Sequence, residues 1–297
     1  MNVAEANMIR GKLLFDEPMS KHTSWRVGGV AEQYFVPADL QDLQQYLYQL
    51  EKDIELSWIG LGSNLLVRDG GIRGVTIAPL NKLKSLEMRK DGCVYAEAGV
   101  TCAKLARFCR KQGLSGADFF AGIPGTVGGA LAMNAGAFGS ETWSFVSRLT
   151  MINRQGELVN RFANEFEVDY RRVDLPAQEW FAAGYFLFPS KAPEAESNIR
   201  GLLKKRNDSQ PIGLPSCGSV FKNPAGDFAA RLIESAGLKG YCQGGACVSQ
   251  KHANFIISDE QTHASDIEDL IHHIQQTVKQ HSGISLHTEV RILGEKL

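Results

Sequence analysis

The sequence predicts an α+β protein of about two domains, and three observations carry that prediction. Its 297 residues are 43% hydrophobic, ample material for packed cores, and at roughly 100 to 200 residues per domain this length predicts about two. Short apolar runs bounded by turn residues recur between a few helical patterns, so strands and helices are both expected. A composition break then falls at 207–216, NDSQPIGLPS, where two prolines interrupt the periodicity.

Taken in order, strands are expected at Leu56 to Ile59, Leu65 to Val67, Val75 to Ala78, Val94 to Ala98, Leu149 to Ile152 and Trp180 to Phe188. Thr101 can cap a helix in which Leu105, Ala106 and Cys109 fall at helical spacing, with Gly113 ending it. A second helix over 194–206, EAESNIRGLLKKR, is acidic at its start and basic at its end, as the helix dipole prefers. Past the break come a strand near Ser219 to Lys222, a helix from Phe228 to Ser235 stopped by Gly237, and a strand from Ala253 to Ile257. A long helix with the apolar stripe Ile267, Leu270, Ile271, Ile274 and Val278 precedes a last strand.

Charge and composition exclude several function classes. With 32 Lys+Arg against 33 Asp+Glu, the chain has no bulk field to concentrate it on nucleic acid or an anionic membrane. No apolar run approaches the roughly 20 residues a membrane helix needs. The start, MNVAEANMIRGKLLF, carries acid early and lacks an apolar stretch, so no signal peptide is expected. The 6 cysteines show no C-x-x-C pair, which argues against zinc and for reduced thiols of a cytosolic protein. His272 and His273 are adjacent, point about 100° apart on a helix and read as solvated.

Glycine is placed unusually. Of 30 glycines, 5 lie within 60–74 and 8 within 113–139; such clusters mean tight turns or close approach of backbone to a ligand. The first runs W-I-G-L-G-S-N-L-L-V-R-D-G-G over 58–71. Leu65 stands where a dinucleotide fingerprint needs its third glycine, and a strand follows rather than a helix, which argues against a Rossmann site. What survives is a turn at Gly60, Gly62, Ser63, Asn64 and Leu65 whose amides could form a nest for phosphate oxygens. In the second cluster Gly122, Pro124 and Gly125 shape a turn, Thr126 can cap a short helix, and Gly128 and Gly129 leave a bare surface for a flat ring or a pyrophosphate. No P-loop signature is present. Two such segments suggest a dinucleotide bound across them, with hairpin turns as the alternative.

His22-Thr23-Ser24-Trp25-Arg26-Val27-Gly28-Gly29 and the two glycine-rich segments, in that order, resemble the flavin-binding region of the UDP-N-acetylenolpyruvoylglucosamine reductase (MurB) family, in its shorter type II form. Later come Asp169-Tyr170-Arg171, Cys217-Gly218-Ser219-Val220-Phe221-Lys222-Asn223-Pro224 and Thr288-Glu289-Val290-Arg291-Ile292-Leu293-Gly294, which resemble the family's three catalytic segments. The resemblance covers about residue 15 to the C-terminus. Two positions depart from it: Val173, where the family often has serine, and Thr288, where it often has proline.

The resemblance implies a two-lobed FAD-binding region of the vanillyl-alcohol-oxidase (PCMH) type over 1–208, with lobes of about 1–79 and 80–208. A smaller α+β substrate domain over 209–297 follows, its last strand returning to the flavin site. It implies reduction of an enolpyruvyl ether of UDP-N-acetylglucosamine to UDP-N-acetylmuramate, with NADPH as reductant and non-covalent FAD as hydride carrier. Arg171 would bind the substrate carboxylate as charge develops, Ser219 would protonate the carbanion, and Glu289 would stabilise the enolic intermediate with a raised pKa or a close cation. Asn134, Ala135 and Gly136 join the glycine-rich residues as FAD contacts; Tyr170, Lys222, Asn223, Gln250 and Asn254 are candidates for the nucleotide sugar. A cytosolic monomer without metal, nucleic acid or membrane partner is expected. Two rivals stand beside it: an alcohol or sugar oxidase of the same flavin fold, and a non-catalytic nucleotide-sugar sensor.

Overall fold

A computed structural model describes residues 9–190 and 199–297, so the first residues of the N-terminal reading and the start of the helix expected over 194–206 lie outside the described residues. By its contacts the chain forms two compact units, one drawing on 1–14, 34–61 and 75–204 and the other on 15–33, 62–74 and 205–297. The packing is therefore discontinuous, where a linear reading places one boundary near 208. Composition marks breaks only between chain neighbours, whereas residues 15–33 and 62–74 are held by distant partners. The Trp25 indole N–H, for example, donates to the Ile256 carbonyl at 2.8 Å.

In the first unit, helix α1 (Leu40–Gln49) is capped by the Asp39 carboxylate, which accepts from the Asp42 amide at 2.9 Å. Its Leu43, Tyr46 and Leu47 pack with Phe35, Val75, Ile77 and Leu83. Nearby, Leu56–Trp58 lies parallel to Ile72–Ile77. A five-stranded antiparallel sheet runs in the order Leu158–Phe162, Val146–Asn153, Glu179–Phe186, Val94–Glu97, Leu86–Met88. Helices α2 (Cys102–Lys111) and α3 (Val127–Met133) bury Leu105, Val127 and Leu131 in one core with Leu149, Phe120 and Phe186, each such side chain stabilising by about 1.5–3 kcal/mol. Thr101 sits at the start of α2 but makes no capping bond. The Cys102 amide instead donates to the Gly125 carbonyl at 2.9 Å, so the second glycine cluster closes that helix end. Helix α4 (Ile199–Ser209) is the described remainder of the helix expected over 194–206.

In the second unit, strands Cys242–Gln243, Ala246–Val248 and Ile256–Ser258 form an antiparallel sheet, accompanied by helices α5 (Ala229–Ser235) and α6 (Ala264–Ser282). The stripe Ile267, Leu270, Ile271, Ile274 and Val278 is buried with Trp25, Leu66 and Phe221. The Asp69 carboxylate accepts from the first α6 amides, Ala264 and Ser265, each at 2.9 Å. Beside it, Arg68 makes two 2.9 Å bonds to Glu268. These two residues of the first glycine cluster thus anchor strand Leu65–Val67 to α6, and the last strand, Arg291–Leu293, pairs with it in parallel.

The cysteine expectation is corrected. Cys242 and Cys247 oppose each other across a hairpin and form a disulfide with Cα atoms 4.1 Å apart; their spacing around Gly244-Gly245 was the available signal. Cys93, Cys102, Cys109 and Cys217 are free and buried. His273 stacks on Tyr241 at 4.5 Å, leaving His272 as the exposed member of the pair. Among the described residues there is no cluster able to hold a metal ion, and no helix is long and apolar enough to cross a membrane.

Candidate active site

The glycine-rich segments differ in how their amides are used. Among the described residues, no acceptor takes the amide N–H of Gly60, Leu61, Gly62, Ser63 or Asn64, a run of donors suited to phosphate oxygens. In α3 the first amides are already committed. Val127 donates to Val100 O at 2.8 Å and Gly128 to Ala98 O at 2.9 Å, while Gly129 donates to the Thr126 hydroxyl at 3.3 Å. Thr126 does cap its helix, and for that reason the start of α3 has no spare amide there for an anion.

Strand Leu56–Trp58, Gly60 and α3 line a cleft of about 100 Å³ in the first unit. A side chain at Gly60 would put its Cβ 2.5 Å from the Thr126 hydroxyl, and one at Gly128 would stand 2.9 Å from Ala98, so packing of the chain on itself accounts for both. Gly129 meets only the Thr126 hydroxyl, at 3.6 Å, and is bare. Stacked Trp58 and Trp180, with ring centroids 5.3 Å apart, also line this cleft. Neither tryptophan stands out in the sequence; the signal was an aromatic residue two places before Gly60. Gly122 and Pro124 lie in the short 3-10 turn Asp118–Gly122 and just after it.

Arg171 sits in the turn Tyr170-Arg171 between Val168–Asp169 and Arg172–Val173. Its backbone is left-handed, with φ 56°. Its guanidinium donates to Asn134 O at 2.9 Å and Gly136 O at 3.0 Å and lies 4.9 Å from the centre of the Tyr170 ring. The Ala135 carbonyl accepts from the Thr142 hydroxyl at 2.6 Å. Val173 is buried in the core of its unit, so the position that departs from the resemblance is a packing position.

In the second unit, residues far apart in sequence come together. Glu289 N donates to Val220 O at 2.8 Å, Lys222 N donates to His287 O at 2.9 Å, and Phe221 bridges to Thr288. Ser219 and Glu289 thus lie on neighbouring backbone segments. Asn64, from the first glycine cluster, donates its side-chain amide to Glu289 O at 3.1 Å. Among the described residues, no hydrogen bond engages the Ser219 hydroxyl. Cys217 donates its thiol to Gly62 O and Leu65 O, and burial pushes it up to about 12, so it stays protonated and is no rival to Ser219.

The four by-position substrate candidates separate clearly. Asn254 is 3% exposed and pairs with Phe221, accepting from its amide at 2.9 Å and donating to its carbonyl at 2.8 Å. Asn223 accepts from the Ala229 amide at the start of α5. Gln250 is exposed and lies against Gly240. The Lys222 ammonium has no carboxylate partner among the described residues.

Residues 210–293 match the family model described as "UDP-N-acetylenolpyruvoylglucosamine reductase, C-terminal domain", and residues 31–161 match an "FAD binding domain". The UDP-N-acetylenolpyruvoylglucosamine reductase of Coxiella burnetii (strain Dugway 5J108-111) is 54% identical over 306 residues, covering 96% of this chain and 97% of the relative. The enzyme of that name from Methylococcus capsulatus is 54% identical over 287 residues, covering 96% and 94%. Among solved structures, the MurB reductase from Thermus caldophilus superposes with a TM-score of 0.80 at 26% identity, covering 96% of this chain and 99% of that one.

Proposed function

The chain belongs to the UDP-N-acetylenolpyruvoylglucosamine reductase family, and from that premise we propose which of its residues carry the reaction. It is an FAD-dependent oxidoreductase that reduces the enolpyruvyl ether of UDP-N-acetylglucosamine with NADPH, in peptidoglycan precursor synthesis. Bound FAD supplies the hydride relay between NADPH and the alkene, chemistry that side chains lack. The residues present fit that cofactor: the unpaired amides of Gly60 to Asn64 suit its phosphates, and bare Gly129 beside Trp58 and Trp180 admits a flat ring.

As the alkene is reduced, negative charge grows on the carbon next to the substrate carboxylate. Arg171 offers a planar fork to that carboxylate, and a preorganised donor of this kind is worth about 3–4 kcal/mol. Ser219 then gives its hydroxyl proton to the carbanion; an enediolate-like base is strong enough to take it, and a positioned donor adds roughly 10² to 10⁴ in rate. Glu289 holds the enolic form from the neighbouring backbone segment. Lys222 serves the diphosphate. Of the remaining candidates, Gly60, Gly62, Ser63, Asn64, Leu65, Gly122, Pro124, Gly125, Thr126, Gly129, Ala135 and Gly136 serve FAD, and Tyr170, Asn223 and Gln250 serve the nucleotide sugar, whereas Gly128, Asn134 and Asn254 are committed to the protein's own packing and hydrogen bonds. By function, FAD binding extends through about residue 208 and the substrate domain from 209 onward. A cytoplasmic monomer acting on a diffusible nucleotide sugar completes the proposal, and a net charge of −1 gives it no bulk field for nucleic acid or an anionic membrane.

The observation that carries this reading is the pairing of the Ser219 and Glu289 segments, residues remote in sequence and chemically complementary to one reaction. An anaerobic visible titration tests it. NADPH should bleach a flavin band and the enolpyruvyl substrate should restore it. Restoration by oxygen alone would support an oxidase, and unbleached, ligand-binding protein would support a sensor.

A further inference from the structure

Asn134 ends α3 with a left-handed backbone, φ 41°, and is 2% exposed. Asparagine tolerates that conformation better than most residues, and here the turn places its polar groups among three others. Its side-chain amide donates to Glu141 Oε2 at 3.1 Å and to Asp169 O at 3.3 Å, and its side-chain oxygen accepts from the Trp143 amide at 3.1 Å. Its main-chain carbonyl accepts from the Arg171 guanidinium at 2.9 Å. One buried residue thus holds the Tyr170-Arg171 turn at two points, the backbone just before it and the cationic tip beyond it. The carbonyls of Asn134 and Gly136 are the two neutral acceptors that aim the fork.

We propose that Asn134 is a positioning residue for Arg171: its amide fixes the base of the Arg171 turn and its carbonyl aims the guanidinium, so that it acts on the substrate half-reaction through Arg171. This rests on the role assigned to Arg171 above. It differs from a cofactor-contact role, in which loss of Asn134 would weaken FAD binding.

Single-turnover kinetics separate the possibilities. Asn134→Gly keeps the left-handed backbone and removes the three side-chain bonds. FAD content and flavin reduction by NADPH should be unchanged, while reoxidation by the enolpyruvyl substrate should slow about 10- to 100-fold, the scale of a small misplacement of a reacting group. In an Arg171→Ala background the same change should add nothing further. Loss of FAD, normal reoxidation, or the same slowing in the Arg171→Ala background would each overturn the inference. If Arg171→Ala alone reoxidised at the wild-type rate, the role of Arg171 would fall and the inference with it, a pattern distinct from the others. Should Asn134→Gly not accumulate as folded protein, Asn134→Asp, which keeps the bond to Trp143 and loses both donations, is read by the same criteria.

Discussion

Arg171 and Ser219 are each braced by a buried asparagine, in two different ways. In the first unit the bonds end on the guanidinium: Asn134 and Gly136 hold it through their carbonyls. In the second unit the bonds end on backbone. Asn254 pairs with both the amide and the carbonyl of Phe221, its own carbonyl accepts from Val220 N, and Glu289 N donates to Val220 O. A group held through its side chain is aimed by contacts that a substitution there removes. A hydroxyl carried on a braced backbone keeps its place whichever side chain occupies the position. The first arrangement makes position depend on the neighbours, and the second isolates chemistry from architecture.

The largest effect that tests this contrast is Ser219→Ala. Substrate-driven reoxidation should slow a hundredfold or more, within the general-acid range, with FAD content, NADPH reduction and unfolding midpoint all unchanged. Near-normal turnover removes Ser219 from the mechanism; a fall in midpoint shows that the hydroxyl is structural. Asn254→Ala should act the other way. It strips partners from a buried amide and a buried carbonyl, about 1–3 kcal/mol for each group left unsatisfied, so urea unfolding should register a clear loss of stability. An unchanged midpoint would mean that the Ser219 segment is held by its other backbone bonds alone.

The smallest effect concerns the anchor of strand Leu65–Val67. The Arg68 guanidinium, hydrogen-bonded to Glu268, holds that carboxyl below its ordinary value. A carboxyl whose pKa is lower in the folded than in the unfolded protein adds stability that is present above its unfolded value and is lost as pH falls through its folded one. Urea midpoints of the wild type should therefore decline on acidification below about pH 4.5, the ordinary glutamate range. Glu268→Gln should lower the midpoint at pH 7 and flatten that decline. Parallel pH curves for the two proteins would assign the acid sensitivity to other carboxyls.

Much of the fold was legible because its signals are local. The stripe of α6 repeats at helical spacing, and strand Leu65–Val67 is a plain apolar run between turn residues. Helix α1 carries the same signal in Leu43, Tyr46 and Leu47, but a glutamine-rich outer face makes it faint. Thr101 and Thr126 show the limit of local chemistry: both precede helices, yet only Thr126 makes the capping bond, whereas the third amide of α2, Lys104, donates to the Thr101 carbonyl instead of its hydroxyl. Arg171, Ser219 and Glu289 were legible as motifs, whereas the groups that hold them were not. The bond from Arg171 to Asn134 spans 37 positions and ends on a main-chain carbonyl, which no residue type advertises.

The discontinuous second unit has a consequence for how the protein is made. Trp25, Val27 and Leu66 leave the ribosome long before Phe221, Ile267 and Ile274, the residues with which they share a core. At 5–20 residues per second, this early apolar surface waits on the order of ten seconds for its partners. A fragment beginning at 210, where the reductase C-terminal domain match begins, lacks the Trp25 and Leu66 side chains and exposes the surface they cover. The shortest piece of this chain that can complete that core therefore starts no later than Trp25 and runs at least to Val290, so the substrate half of the molecule cannot be studied or targeted as a detachable module.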